Sequence, residues 1–180
     1  SLNPRMNVLT VVTDGLKYSS KKLSKEQILQ RAKKAIVDVG LREEDLYKRP
    51  AEFSGGQRQR ISIARGLVLD PELLICDEIV SALDVSIQAQ VLNLLSDLKK
   101  NRNLSFLFIT HDLRVACFFC DKIGVMYRGV LVEEGPAATL YKDARHPYTK
   151  LLFEAASGMK SSKSIEVKTT LEKENGCPFA

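Results

Sequence analysis

Three short polar clusters carry residue types that can do chemistry on a phosphate. Phe53-Ser54-Gly55-Gly56-Gln57 stands directly before a helical pattern. Two glycines let backbone approach an anion closely, and a helix start offers unpaired N–H groups and the positive end of the dipole. The stretch therefore reads as a phosphate cradle to which Ser54 adds a hydroxyl. Taken alone it reads more readily as an ordinary N-cap followed by a turn, with the cradle left open beside it. Leu73-Leu74-Ile75-Cys76-Asp77-Glu78 ends a wholly apolar run on two carboxylates. Charge beside buried strand is costly unless something uses it. Glu78, expected on the other side of the strand, suits a water that attacks a phosphate. The plainer alternative is a strand-end turn with both carboxylates in water. Ile109-Thr110-His111-Asp112 closes the next apolar run, where His111 can donate to a phosphate oxygen or serve a structural purpose.

Helices alternating with short apolar runs must position these clusters. Ser24 with Gln27 has capping-box spacing and opens a helix to Val39, whose apolar face is Ile28, Ala32, Ala35, Ile36 and Val39, with Gly40 as its stop. A second helix runs from near Gly56 to Leu69 with Ile61, Ala64, Leu67 and Val68 inward, and Asp70-Pro71 ends it. Leu73–Cys76 and Leu104–Ile109 are continuous apolar runs expected to be strands buried on both faces, and Val85–Lys100 is the helix between them. A short helix over Asp112–Phe119 precedes strands Lys122–Tyr127 and Val130–Glu133, joined tightly at Arg128-Gly129. Pro136 and Pro147 open two short helices. Residues 1–20 show little periodicity, 41–50 form a charged connector, and 157–175 read as a solvated linker. The alternation argues for an α/β layer with a parallel sheet.

Composition sets the bounds. The 180 residues are 44% hydrophobic and 27% charged, with 10 Gly and 6 Pro, which excludes a disordered, collagen-like or low-complexity chain. No run approaches the length of a bilayer span. A net charge of +5 is a mild excess, compatible with nucleic acid, anionic lipid or nucleotide phosphate. The 4 cysteines do not form a disulfide framework. Cys76 reads as a small buried hydrophobe, and Cys117-x-x-Cys120, in principle a metal or redox pair, has no second pair or nearby His and reads as two structural thiols.

Taken together, FSGGQRQR, then LLICDE, then SALD, then ITHD, in that order and spacing, closely resemble the ATP-binding subunit of ABC transporters. SLNPRM, LLICDEIVSALDVSIQAQVLNLL, RHPYTKLL and the final Gly176-Cys177-Pro178-Phe179 are similar to its oligopeptide/dipeptide importer branch. The resemblance implies a P-loop-type parallel sheet flanked by helices, with a helical subdomain. It places the helical subdomain at 1–66, the C-terminal part of the ATPase core at 67–135 and the branch-specific extension at 136–180. It also implies ATP and Mg²⁺. Ser54, Gly55, Gly56 and Gln57 would bind the γ-phosphate of ATP held by a second ATP-binding subunit, identical or not. Asp77 would assist Mg²⁺ through water, Glu78 would activate the hydrolytic water, and His111 would stabilise the γ-phosphate. Ser81 and Asp84 would couple the two sites. Permease subunits and, indirectly, an extracytoplasmic solute-binding protein are the implied partners, nucleic acid is not, and the implied place is peripheral on the cytoplasmic face of the membrane.

The sequence departs from the pattern in three ways, the first being that Cys177 alone stands where the family's tail often carries further cysteines. Ile79 stands where the family usually has Pro after the catalytic Glu. No glycine is followed by lysine, so G-x-x-x-x-G-K-[ST] is absent. With a first residue that is not Met, the expectation is the back portion of such a domain, incomplete at its front, inactive alone and with some apolar sheet surface uncovered. Alternatives are a non-hydrolysing docking module and a soluble ABC ATPase of DNA repair or translation.

Overall fold

A computed structural model describes residues 2–18 and 23–156. The expected linker at 157–175 and Cys177 lie outside the described residues. The chain divides into two units, Ser1–Ile109 and Thr110–Ala180.

In the first unit, α1 (Val8–Thr13) starts on Asn7, whose side chain accepts the Thr10 N–H. Val8, Val11 and Val12 recur at helical spacing and are buried, so a helix stands where the sequence showed little periodicity. Six residues are too short a window for that spacing to stand out. In α2 (Lys25–Asp38), Ser24 and Gln27 form the expected capping box, and Ala32, Ala35 and Ile36 are buried. Its end is a Schellman motif. Gly40 has φ +74°, its N–H donates to Val37, and the Leu41 N–H donates to Ile36. The charged connector folds as 3₁₀ turns at Glu43–Tyr47 and Pro50–Glu52. The buried Asp45 carboxylate accepts from Lys48 Nζ at 2.6 Å and from the Arg42 N–H at 3.0 Å. α3 (Gly55–Leu67) buries Ile61, Ile63, Ala64 and Leu67 and packs on α1, α2 and α4 (Val85–Arg102).

β1 (Leu73–Asp77) and β2 (Ser105–Ile109) pair in parallel, from Leu73 opposite Ser105 to Asp77 opposite Ile109. α4 is the crossover such a pair requires. The expectation of strands buried on both faces is corrected here. Cys76 is buried, but Leu73, Ile75, Leu107 and Ile109 alternate with the covered residues and are about half exposed or more. Pairing alone covers neither face of a sheet. One face of this one meets the unit's core, and the described residues leave the other apolar and open.

In the second unit, α5 (Leu113–Phe119) leads into β3 (Lys122–Tyr127) and β4 (Val130–Pro136), an antiparallel hairpin with an irregularity at Val125/Met126. Arg128 and Gly129 both have positive φ, which suits the expected two-residue turn. α6 (Ala137–Asp143) and α7 (Pro147–Ala156) follow. Ala116, Ile123, Val125, Ala137, Leu140 and Phe153 form the core, against which Cys117 and Cys120 pack. Burial pushes the Cys117 thiol pKa up, which keeps it in its neutral form. Glu133 reaches from β4 to the start of α7, accepting the Arg145 N–H at 2.7 Å and the His146 N–H at 3.1 Å. These bonds, that of Arg145 foremost, hold its carboxyl below the usual range. No helix among the described residues is long and apolar enough to cross a membrane.

Candidate functional site

The turn before α3 resolves one open alternative locally. Ser54 sits in extended backbone, φ −63° and ψ 165°, and its Oγ accepts the Gln57 N–H at 3.3 Å. Gln57 Oε1 in return accepts the Ser54 N–H at 3.0 Å. Ser54 is thus an N-cap in a complete capping box, and the helix begins one residue earlier than the sequence pattern placed it. A cap does not exclude an anion. The box uses Ser54 Oγ and Gln57 Oε1 as acceptors and engages the third amide of the helix, so the Gly55 and Gly56 N–H groups are the backbone donors it leaves over. Gly55 and Gln57 are exposed, and a Cβ on Gly55 would meet nothing within 4 Å. An anion can therefore come against this backbone without moving a side chain.

Arg60, one turn along, ties α3 to α2. Its Nη1 donates to the Val39 carbonyl at 2.9 Å, and Val39 is the C-cap of α2. Arg102, in the last turn of α4, pairs with Asp38, also in the last turn of α2. The end of α2 is thereby held from both α3 and α4.

Asp77 ends β1, and it is exposed. Glu78 is not the next strand residue on the opposite face, as the sequence suggested. Its φ of +47° takes it out of the strand into the left-handed region. Its N–H still donates to the Ile109 carbonyl at 2.9 Å, which fixes the backbone of this exposed residue. Such a conformation in a residue with a Cβ costs on the order of 1 kcal/mol and must be held by its surroundings. Here the Glu78 carbonyl accepts both the Ser81 N–H at 3.2 Å and Ser81 Oγ at 2.9 Å. Val80, 2% exposed, anchors the turn from inside. Asp84 then caps α4, its carbonyl taking the Gln88 N–H at 2.8 Å without a capping bond from its side chain.

A Mg²⁺ ion fits Asp77 only in a particular manner. Among the described residues, no three His, Cys, Asp or Glu side chains converge to hold a metal. A single exposed carboxylate suits a hard cation that keeps most of its waters and binds phosphate oxygens, as Mg²⁺ does. When bound there, the ion would neutralise phosphate charge.

His111 opens the second unit, exposed, two residues after β2. The next residue, Asp112, caps α5 by accepting the Arg114 N–H at 2.9 Å, while its own N–H donates to Thr110 Oγ1 at 3.0 Å. Burial pushes the Asp112 carboxyl up, but bonds from the Arg114 side chain and backbone outweigh it and leave the carboxyl below its usual value. The backbone on both sides of His111 is thus fixed locally. Residues that the sequence reading did not single out are Arg60 and Glu133. Arg60 lies within FSGGQRQR, and its charge was the only signal it gave.

Comparison with known proteins agrees with the motif pattern. Residues 1–81 match the family described as ABC transporter, and 132–180 match the family described as oligopeptide/dipeptide transporter, C-terminal region. The chain is 52% identical over 155 residues to the oligopeptide transport ATP-binding protein OppF of Bacillus subtilis, spanning 86% of this chain and 51% of that protein. It is 44% identical over 186 residues to the dipeptide transport ATP-binding protein DppF of Escherichia coli, spanning 99% of this chain and 55% of that protein. The chain thus spans about half the length of the curated relatives it matches. Among solved structures, the dimeric MJ0796 bacterial ABC transporter cassette is similar with a TM-score of 0.64 at 28% identity, covering 76% of this chain and 59% of that one. CbiO1 of Clostridium perfringens gives a TM-score of 0.69 at 28% identity, covering 78% and 55%.

Proposed function

This chain belongs to the ABC transporter family, in its oligopeptide/dipeptide branch, and we propose that it supplies the phosphate-facing first turn of α3 to ATP held by a second ATP-binding subunit. The single observation that carries this reading is the turn at 54–57. Its side chains are locked to each other, its first amides are left over, and Gly55 is open to solvent. The same 180 residues contain no Gly-Lys pair with which to build a phosphate-gripping loop of their own.

In this reading, Ser54, Gly55, Gly56 and Gln57 hold the γ-phosphate in trans, and the chemistry is electrostatic positioning rather than covalent catalysis. Asp77 steadies a hydrated Mg²⁺ ion. Glu78 orients and deprotonates the attacking water, its backbone held at the end of β1 by Ile109. His111 donates to the γ-phosphate as charge develops. Ser81 closes the turn that presents Asp84 to the other site. The energised process is import of peptides or related solutes through permease subunits fed by an extracytoplasmic binding protein, and the chain works peripherally at the cytoplasmic face of the membrane.

The 180 residues alone are then a docking module without turnover. The open apolar face of Leu73, Ile75, Leu107 and Ile109 favours that second description of the isolated chain. Mg-ATP titration separates the possibilities. The chain alone should not bind Mg-ATP tightly, and it should associate with a complete ATP-binding subunit of the same branch only when Mg-ATP is present. Tight binding by the isolated chain overturns the reading.

A further inference from the structure

We propose that Gly56 is a packing glycine and that Ile87, on the first turn of α4, is the positioning residue that sets where the 54–57 turn stands. This rests on the reading of that turn given above. A Cβ on Gly56 would fall 2.6 Å from Ile87 Cγ2, with Ile87 Cδ1 at 3.8 Å and Cβ at 3.9 Å. Real Cβ contacts are not that short, so the backbone of the α3 first turn lies directly against the Ile87 side chain.

The neighbouring glycines sharpen the point. Gly55 meets nothing within 4 Å. Gly66 would meet Leu74 Cδ1 at 2.6 Å, but that methyl is the far end of a flexible side chain and can turn away. Ile87 Cγ2 is attached to Cβ, and in a helix a β-branched side chain has one dominant χ1 rotamer, so it cannot. Gly56 also lies inside a helix, where glycine is worse than alanine. Its presence there therefore needs a reason, and the approach of Ile87 supplies one. Ile87 stands three residues after Asp84, so one side chain fixes the spacing between the turn at 54–57 and the helix that the 81–84 turn begins. The two glycines thus have different purposes: Gly55 leaves room for a ligand, and Gly56 leaves room for α4.

Paired substitutions in the full chain test this, read by urea unfolding. Helix propensity alone makes both glycine-to-alanine changes stabilising. Gly55→Ala should follow that rule. Gly56→Ala should instead lower the folding equilibrium constant by about fivefold or more, the usual effect of overpacking. In an Ile87→Ala background, Gly56→Ala should become neutral or stabilising. In an Ile87→Val background it should still be harmful, because valine keeps both γ carbons. If Gly56→Ala stabilises the wild-type chain, or costs the same in all three backgrounds, the proposal is overturned.

The positioning role has a second readout, Mg-ATP-dependent association with a complete ATP-binding subunit. Gly56→Ala should weaken it tenfold or more, and adding Ile87→Ala should recover part of that loss. No recovery, with stability restored, overturns the positioning role. If the wild-type chain never associates while the unfolding pattern holds, the functional reading of the turn fails and the packing of Gly56 on Ile87 stands.

Discussion

Arg60→Ala is the substitution whose effect follows most directly from the geometry. The Schellman end of α2 satisfies the Ile36 and Val37 carbonyls with the N–H groups of Leu41 and Gly40. The Val39 carbonyl is met by Arg60 Nη1 at 2.9 Å, from a side chain 21 residues away. A hydrogen bond from a charged group contributes about 1.5–3 kcal/mol, and water can recover some of it because the site is half-buried. A loss of about 1.5–2 kcal/mol is expected. Gly40 belongs to the same arrangement. A Cβ there would lie 2.8 Å from Arg60 Nη1, and its φ of +74° disfavours any side chain. Gly40→Ala should therefore cost about 1–2 kcal/mol, part of it through the guanidinium. The double variant should lose less than the sum of the singles. Amide hydrogen exchange over residues 30–41, read by mass spectrometry, reports this segment alone. Arg60→Ala should speed exchange there about tenfold or more and leave the second unit unchanged. A change below about twofold would refute the assignment of Arg60 as the anchor of α3 on α2.

Three further outcomes are expected. The Asp45 carboxyl is held below its usual value, chiefly by its bond from Lys48, so its folded pKa lies below its unfolded one. Its contribution is then present above the unfolded value and fades as pH falls through the folded one. The acid limb of urea stability below about pH 5 should flatten in Asp45→Asn, and an unchanged limb would contradict this. If Glu78 activates the hydrolytic water as proposed, Glu78→Gln in a full-length ATP-binding subunit carrying these residues should abolish steady-state ATP hydrolysis while sparing ATP binding, and wild-type turnover would sink the role given to Glu78. Ile75 is 61% exposed, so Ile75→Thr should shift the stability of the isolated chain by no more than about 0.5 kcal/mol, whereas a loss above about 1.5 kcal/mol would mean that the face is covered.

What could be read in the sequence was what neighbours along the chain decide. Ser24 with Gln27, Ser54 with Gln57, Gly40 and Arg128-Gly129 all act within four residues, and each is found as its type requires. The alternation of helices with apolar runs correctly gave the parallel pair β1–β2. What escaped depends on distant partners. An apolar run states that a strand can be buried, but whether both faces are covered depends on layers elsewhere, and here Leu73 and Ile75 are open. Glu78 leaves the strand because Ile109 and Ser81 hold its backbone, which no local preference of glutamate announces. The contacts of Arg60 with Val39 and of Gly56 with Ile87 join residues 21 and 31 apart, the second count being 87 minus 56. The motif residues stood out by type and order alone, FSGGQ before LLICDE before SALD before ITHD.

The turn at 54–57 is proposed to meet the γ-phosphate of ATP held by another subunit. A photoreactive group on the γ-phosphate of ATP, added to this chain with and without a complete ATP-binding subunit of the same branch, tests it most directly. Labelling of Ser54–Gln57 is expected only when that subunit and Mg²⁺ are both present. Equal labelling of the chain alone, or labelling that never reaches 54–57 in the mixture, would contradict it.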